Sequence, residues 1–337
     1  MRIAVVGATG AVGQELLQLL HERAFPATEV RAFASPRSAG RRVPYAGGDL
    51  VVEALPEDGD LGADVVFSSA GGGLSTREAK RWASHGAVVI DNTSAWRLDP
   101  ETPLVVPEVN GAAAERHRGI VANPNCSTIL ALMALAPLHR AFGLQRATVA
   151  TYQAVSGAGA TGIDELTRLT RAALAGEAET PETFADTIAF NLFSHDSEVG
   201  EDGYNLEERK LLLESRKILD APDLRMSATA IRVPVYRAHA EAIHAEFAQA
   251  VAPDAAREVL AAAPGVELVD DPAANRFPTP RAASGRDAVL VGRLREDVSR
   301  PGGLALFLAG DQIRKGAALN AVQIAERLTA ASGPASG

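Results

Sequence analysis

The sequence predicts an α/β chain in two parts: a doubly wound parallel sheet, then an α+β region built on a mostly antiparallel sheet. Three observations carry this. The N-terminal region alternates short β-branched runs with helical patterns, the signature of βαβ units. A glycine-rich turn follows the very first run. Beyond Cys126 the texture changes to long alternating runs, which read as strands covered on one face. At 337 residues the chain also exceeds the size at which single cores stop growing, so two domains are expected.

In order, strands are expected at residues 2–6, 29–34, 64–67 and 87–90, with helices at 11–22 and 74–85. A helix from Cys126 to about residue 142 follows, then strands at 228–236, 287–295 and 303–309. The last helical pattern, 316–331, is apolar at Leu319, Val322, Ile324 and Leu328 and is expected to pack back on the first domain. The expected division is therefore 1–125 completed by 316–331, and 126–315. The small polar tail 332–337 reads as frayed.

Composition narrows the function. With 47% hydrophobic and 22% charged residues this is an ordinary globular chain. A formal charge of −9 argues against a nucleic-acid binder, which needs concentrated positive charge. A single cysteine allows no internal disulfide, and no paired Cys/His spacing suggests a metal, so a reducing cytoplasm is expected. The N-terminus reads as lacking a signal peptide, because only residues 3–6 are apolar before the glycine turn. The longest uncharged stretch, 119–138, contains Asn123, Pro124, Asn125, Ser127 and Thr128, which suit no membrane span.

"VVGATGAVGQEL" sets Gly7, Gly10 and Gly13 between the first strand and the first helix. Glycines there let the backbone turn tightly and approach a pyrophosphate, whose charge meets the free N–H groups of the helix start. The same glycines could serve packing alone, but the position at the first βα turn favours a Rossmann-type nucleotide loop. An NAD site would next offer an acid at the end of the second strand. Here that strand runs into "AFASPRSAGRR", with Ser35, Arg37, Ser38, Arg41 and Arg42 and no acid. Hydroxyls and a guanidinium suit a 2′-phosphate, so NADP(H) is the expected cofactor; the alternative is a solvated basic loop.

Most lone cysteines are inert core residues. In "VANPNCSTILAL", however, Asn125 is a good N-cap and Cys126 falls in the first turn of an apolar helix. The positive end of the helix dipole lowers a thiol's pKa there and favours thiolate. Beside a nicotinamide cofactor, the common use of a thiolate is attack on an acyl carbon, followed by hydride transfer to the thioester.

The stretches "GATGAVG", "DNTSAWR", "NPNCSTI", "YQAVSGAG", "EERK", "IRVPVYRAH" and "RKGAALNAVQIAE" occur in this order. Together they resemble the aspartate-semialdehyde dehydrogenases of the bacterial type across nearly the whole chain. The resemblance implies NADPH-dependent reduction of L-4-aspartyl phosphate to L-aspartate 4-semialdehyde with release of phosphate, toward lysine, threonine and methionine. It makes Cys126 the nucleophile, Gln153 the residue that orients the acyl group, and His239 the acid/base. It also assigns Arg232 to the substrate carboxylate, Glu207 to its ammonium group, Lys210 and Arg97 to phosphate, and Asn125 to the substrate site. Cofactor contacts would come from Thr9, Gly10, Ala11 and Val12 at the pyrophosphate and Arg37 and Ser38 at the 2′-phosphate. Ser156, Gly157 and Asn320 would lie near the nicotinamide. The family also implies a homodimer built on the second domain's strands.

Blander readings exist for several of these. Glu207 and Lys210 stand at i, i+3, where a surface ion pair is worth about 0.2–0.5 kcal/mol. Against that, only four lysines occur in the chain, at 80, 210, 217 and 315, as if kept where a compact ammonium is needed. His239 could be an ordinary polar residue on a half-exposed strand. Arg232 lies seven residues before it, so Pro234 or the turn after it must redirect the chain if both are to face one site. "FNLFSHDSEV" stands where many members carry an Ile-Pro-containing loop, and Ala240 follows His239 where serine is common. The rival functions are reduction of another acyl phosphate such as N-acetylglutamyl phosphate, and a non-catalytic NADP-binding sensor with an unreactive Cys126.

Overall fold

The computed structural model describes residues 1–331; the expectation for the tail 332–337 falls outside the described residues. In chain order the elements are β1 (Arg2–Val6), α1 (Ala11–Glu22), β2 (Glu29–Ala34), β3 (Arg42–Tyr45), β4 (Gly48–Ala54), β5 (Val65–Ser68), α2 (Gly72–Ser84), β6 (Val88–Asp91), α3 (Pro107–Asn110) and β7 (Ile120–Ala122). There follow α4 (Cys126–Phe142), β8 (Leu144–Gln153), α5 (Ala160–Ala175), β9 (Phe193–Ser194), α6 (Leu206–Leu219), β10 (Arg225–Arg232) and β11 (His239–Phe247). The chain closes with α7 (Pro253–Ala261), β12 (Val266–Leu268), α8 (Pro280–Ala283), β13 (Val289–Glu296), β14 (Leu304–Gly310) and α9 (Leu319–Ala331). Two compact units result, one of Met1–Asn125 with the chain from Ala317, the other of Cys126–Gly316.

The first unit holds a sheet in the order β3-β4-β2-β1-β5-β6-β7, parallel except for the β3–β4 hairpin. Its central strands bury apolar runs, residues 3–6 of β1, 32–34 of β2 and 65–67 of β5, because both faces are covered. From α1, Leu16, Leu17, Leu19 and Leu20 join one core with Ile3, Val5 and Phe67. Leu319, Val322 and Ile324 of α9 enter the same core, so the C-terminal helix is part of this unit. Burying each such leucine stabilises by roughly 1.5–3 kcal/mol. The hairpin β3–β4 is unannounced by the sequence, and it absorbs Arg42, which reads as part of a basic loop. Strands β5 and β6 each begin one residue later than expected, and α2 begins at Gly72, after a glycine with φ of 97°.

The second unit holds a sheet in the order β12-β13-β14-β11-β8-β10-β9. The pairs β12–β13 and β8–β10 are parallel and the other four antiparallel. Helix α4 covers it and is buried from Ser127 to Ala136, so its apolar character runs all round. Gly310 of β14 has no side chain because Leu130 of α4 occupies the space of its Cβ. Where a strand to residue 236 is expected, β10 stops at Arg232, since Pro234 cannot donate to a ladder. No helix among the described residues is long and apolar enough to cross a membrane.

Candidate active site

In the first unit the β1–α1 turn is shaped by what its glycines lack. Gly7 has φ of 90°, and a Cβ there would lie 2.9 Å from the Ser69 carbonyl carbon. A Cβ on Gly13 would collide with the Gly7 carbonyl, so helix and turn pack at bare-backbone distance. Gly10 is the N-cap residue of α1 and supplies no side-chain cap. The helix therefore starts with Ala11 and Val12 N–H groups that no side chain covers, the arrangement that receives an anion. Thr9 lies in the turn itself, where its carbonyl accepts from Gln14.

At the end of β2, Ser35 precedes a 3₁₀ turn over Pro36–Ser38 and makes no side-chain cap bond. Arg37 in that turn is exposed, and among the described residues no ion pair engages it. The segment lacks an acid, as its sequence says.

Arg97 is buried; its Nε donates to the Asn123 carbonyl at 2.9 Å and its Nη2 to the Asn92 carbonyl at 2.9 Å. Asn320 on α9 is fully buried and donates to the Val105 carbonyl and to Asn123 Oδ1, at 2.9 and 2.7 Å. Both Asn320 amide hydrogens thus tie α9 to its own unit, one to the segment before α3 and one to the residue after β7. Asn125, also buried, is the residue before α4.

In the second unit the topology brings three strand ends to one place. β8 and β10 run parallel with Gln153 in register with Arg232, the last residue of each. β11 runs antiparallel to β8, with Ala240 opposite Tyr152, so it begins at His239 where β8 ends. Between Arg232 and His239 the chain turns through Val233–Ala238, with Ala238 at φ of 72°. That turn is the redirection the seven-residue spacing requires.

Cys126 is the first residue of α4 and half-buried. Gly316 approaches it so closely that a Cβ there would lie 3.1 Å from the Cys126 Cβ. The neighbouring Ser127 Oγ accepts from Gln153 Nε2 at 3.1 Å, and that amide also reaches Thr151 Oγ1 at 3.3 Å and Glu207 Oε1 at 3.5 Å. Glu207 lies in the first turn of α6, whose start is fixed by a reciprocal capping box between Asn205 and Glu208. Lys210 Nζ donates to Glu207 Oε2 at 2.9 Å. The pair is not a surface one: the Glu207 side chain is only 8% exposed.

Arg232 and His239 are both held by the backbone of Ala154. Arg232 Nη1 donates to the Ala154 carbonyl at 3.1 Å, while the Ala154 N–H donates to His239 Nδ1 at 3.0 Å. Gly157 lies against both, since a Cβ there would be 3.1 Å from Arg232 Nη1 and 3.6 Å from the His239 ring. Ser156 Oγ accepts from Gln312 Nε2, whose Oε1 in turn accepts the Ala238 N–H at 2.8 Å.

Charge and burial set the protonation states. His239 is fully buried, not half-exposed. Burial first, then Arg232, lowers its pKa to about 3, so the ring is neutral at physiological pH. With Nδ1 accepting an amide N–H, the ring's proton sits on Nε2, which is buried and has no hydrogen-bond partner among the described residues. His239 therefore presents a hydrogen-bond donor. Uptake of a second proton would have to occur at Nδ1, against the Ala154 N–H. Burial also lowers Arg232, while Asp196, Glu207 and the Cys126 thiolate favour its charge.

Three contributors escape sequence reasoning. Gly316 sits inside a helix-like motif where nothing signals its contact with Cys126. His195 accepts from Arg232 Nη2 at 2.9 Å from a loop far along the chain. Glu241 follows His239 on the same face of β11, fully buried, and neither carboxyl oxygen has a hydrogen-bond partner among the described residues. Burial pushes its carboxyl well above the usual carboxylate range. Its alternation with alanines in "HAEAIHAEF" is the only signal, and it cannot say which face is covered. Among the described residues no cluster of three or more His, Cys, Asp or Glu side chains could hold a metal.

Two family models match this chain. Residues 2–117 match the semialdehyde dehydrogenase NAD-binding domain and residues 135–315 the semialdehyde dehydrogenase dimerisation domain. The aspartate-semialdehyde dehydrogenase of Synechocystis sp. is 51% identical over 328 residues, 97% of each chain. Among solved structures, aspartate semialdehyde dehydrogenase II of Vibrio cholerae in complex with ASA superposes with a TM-score of 0.94 at 44% identity, covering 98% of both chains. The Candida albicans enzyme with NADP gives 0.76 at 26% identity, covering 98% of this chain and 99% of that one. With its nucleotide turn, its cysteine at a helix start and these relatives at near full length, the chain belongs to the aspartate-semialdehyde dehydrogenases, a family of oxidoreductases.

Proposed function

We propose that this protein catalyses the NADPH-dependent reduction of L-4-aspartyl phosphate to L-aspartate 4-semialdehyde through a thioester on Cys126. The observation that carries this reading is the meeting of Cys126, Gln153, Arg232 and His239 at three strand ends and one helix start.

Cys126 at the first position of α4 gains from the helix dipole and from the Arg232 charge, both of which favour thiolate. The thiolate attacks the acyl carbon, the carbon–oxygen bond to phosphate breaks, and phosphate leaves with the electron pair and takes a proton from solvent. Gln153, held by Ser127 and Thr151, orients the acyl group. NADPH, when bound, supplies the hydride. His239 acts through its Nε2–H as a neutral donor to the oxygen that becomes negative, a role its hydrogen bonding suits better than removal of the thiol proton. Collapse of the resulting tetrahedral species breaks the carbon–sulfur bond, frees the aldehyde and restores the thiolate.

Arg232 takes the substrate carboxylate, Glu207 its ammonium group, and Lys210 and Arg97 the phosphate. An ammonium ligand such as Glu207 favours aspartyl over N-acetylated substrates, whose nitrogen carries no charge. The glycine turn fits a dinucleotide pyrophosphate, since its close approaches leave no room for a Cβ. Ser35, Arg37 and Ser38 with no acid favour NADP(H) over NAD(H), and the Candida albicans relative was solved with NADP. Ser156, Gly157 and Asn320 remain the candidates for the nicotinamide end. The match to a dimerisation domain supports a homodimer, and a cytoplasmic enzyme fits the single cysteine.

The test follows NADPH formation from aspartate semialdehyde, with and without phosphate. Phosphate-dependent turnover that disappears in Cys126→Ala is expected; turnover surviving in that variant overturns the covalent route.

A further inference from the structure

His195 stands in the loop that departs from the family pattern, between β9 and α6. Its backbone N–H donates to the Ala230 carbonyl at 2.8 Å and its own carbonyl accepts from Asn205 Nδ2 at 3.4 Å, so the loop is fastened to both β10 and α6. Its ring nitrogen Nε2 is 2.9 Å from Arg232 Nη2. An arginine has no lone pair to offer, so Nε2 must be the acceptor. The ring's proton then lies on Nδ1, where Ser197 Oγ, 3.2 Å away, accepts it. The Ser197 amide nitrogen is also 3.2 Å from Nδ1, but a neutral ring already accepting at Nε2 has no second lone pair for it. Ser197 Oγ also accepts the Glu207 N–H at 3.2 Å, which links the imidazole to the helix bearing Glu207 and Lys210.

Arg232 is 4% exposed and held on three sides. Nη1 is taken by the Ala154 carbonyl, Nη2 by His195, and the guanidinium carbon lies 5.4 Å from the centre of the Phe184 ring. Its Nε is buried and has no hydrogen-bond partner among the described residues. A planar fork with four hydrogens on its two Nη atoms and one on Nε keeps donors free once each Nη has given one away.

We propose that His195 is a positioning residue for substrate recognition, fixing the Arg232 guanidinium so that its open N–H edge meets the carboxylate of the substrate. This rests on the reading of Arg232 given above. A guanidinium free to rotate would pay the ordering cost at each binding event; one already pinned does not. The acceptor role also makes the clamp sensitive to acid. Protonated His195 has no lone pair for Arg232 and sets a second positive charge against it. The charged and titratable groups around His195 are Asp196 beside it, Arg232 from β10, Glu207 and Lys210 from α6, and His239 from β11. Burial is the largest of these influences and lowers the His195 pKa, so the acceptor form prevails at neutral pH.

The test separates binding from turnover. Binding of aspartate semialdehyde is measured by calorimetry in the Cys126→Ala protein, with His195 intact and with His195→Leu or His195→Gln added. Loss of one hydrogen bond to a charged group predicts a Kd about tenfold weaker or more in the leucine protein. Glutamine, whose Oε1 can stand where Nε2 stood, is expected to restore most of the affinity. In otherwise wild-type enzyme, His195→Leu should raise KM for the semialdehyde far more than it lowers kcat, leave KM for NADP unchanged, and erase the acid limb of kcat/KM. Unchanged Kd in the leucine protein, no binding by the Cys126→Ala protein, or a parallel rise in both KM values would overturn the proposal. Failure of wild-type turnover would instead sink the assigned reaction, and the calorimetric result for His195 would stand on its own.

Discussion

In the first unit the groups suited to hold a cofactor are backbone N–H groups on a turn from which side chains have been removed. In the second, the groups suited to meet substrate are side chains, packed to near-complete burial, with His239 Nε2 and Arg232 Nε left without a hydrogen-bond partner among the described residues. The first arrangement tolerates changes of polarity but not an added carbon. The second tolerates neither, because each open atom has already lost its water and gains only when a ligand arrives. The two units thus predict different responses to mutation.

The largest effect belongs to Cys126. Replacing it with serine should lower kcat by roughly 10³-fold or more while leaving the melting temperature and NADPH affinity unchanged, since only the nucleophile is altered. Equal losses in affinity would blur the contrast between the units. His239→Asn comes next, with a fall of about 10²–10³-fold in kcat for loss of one donor to the developing oxyanion. Because its pKa lies at about 3, the wild-type kcat should show no limb near pH 6.5 assignable to this residue. A kcat profile whose acid limb vanishes in His239→Asn would contradict its role as a neutral donor.

Gly13→Ala tests the other unit. Overpacking against the Gly7 carbonyl should destabilise by about 1–3 kcal/mol, read as a lower melting temperature together with weaker NADPH binding. Full stability and affinity would show that the turn can yield. Arg37→Ala, on an exposed side chain, should leave stability alone and weaken NADPH about tenfold, with NADH unaffected.

The smallest effect concerns Glu241. Burial raises its folded-state pKa above the unfolded value, so its contribution to stability is fully present below about pH 4.5 and declines as pH rises through the folded pKa. Glu241→Gln keeps the shape without the charge, and its melting temperature should gain on wild type over the range above about pH 4.5. A constant difference across that range would mean that the carboxyl has a partner.

How far the sequence reaches differs between the units for a physical reason. β1, α1 and β2 fall on the residues where the patterns place them, because long apolar runs bounded by glycines and caps are local signals. α4 likewise begins at Cys126, after Asn125. β8 and β11 carry alanine, threonine, histidine and glutamate in their alternation, so their hydrophobic contrast is weak and neither is expected from pattern. Yet these strands place Gln153 and His239. The resemblance names those two residues and Arg232; it does not say that one residue, Ala154, orients both, His239 through its N–H and Arg232 through its C=O. His195 was legible only as a departure from the family's loop, since its contact with Arg232 spans 37 residues and no local rule reports it.

A thioester on Cys126 that only phosphate discharges efficiently can be caught in a single turnover. Enzyme is mixed with aspartate semialdehyde and NADP in the absence of phosphate, and the protein is then digested and weighed. A burst of NADPH equal to the concentration of active subunits, an acyl adduct on the peptide containing Cys126, and steady turnover once phosphate is added are expected. Continuous NADPH formation without phosphate, with no burst and an unmodified Cys126 peptide, would contradict it.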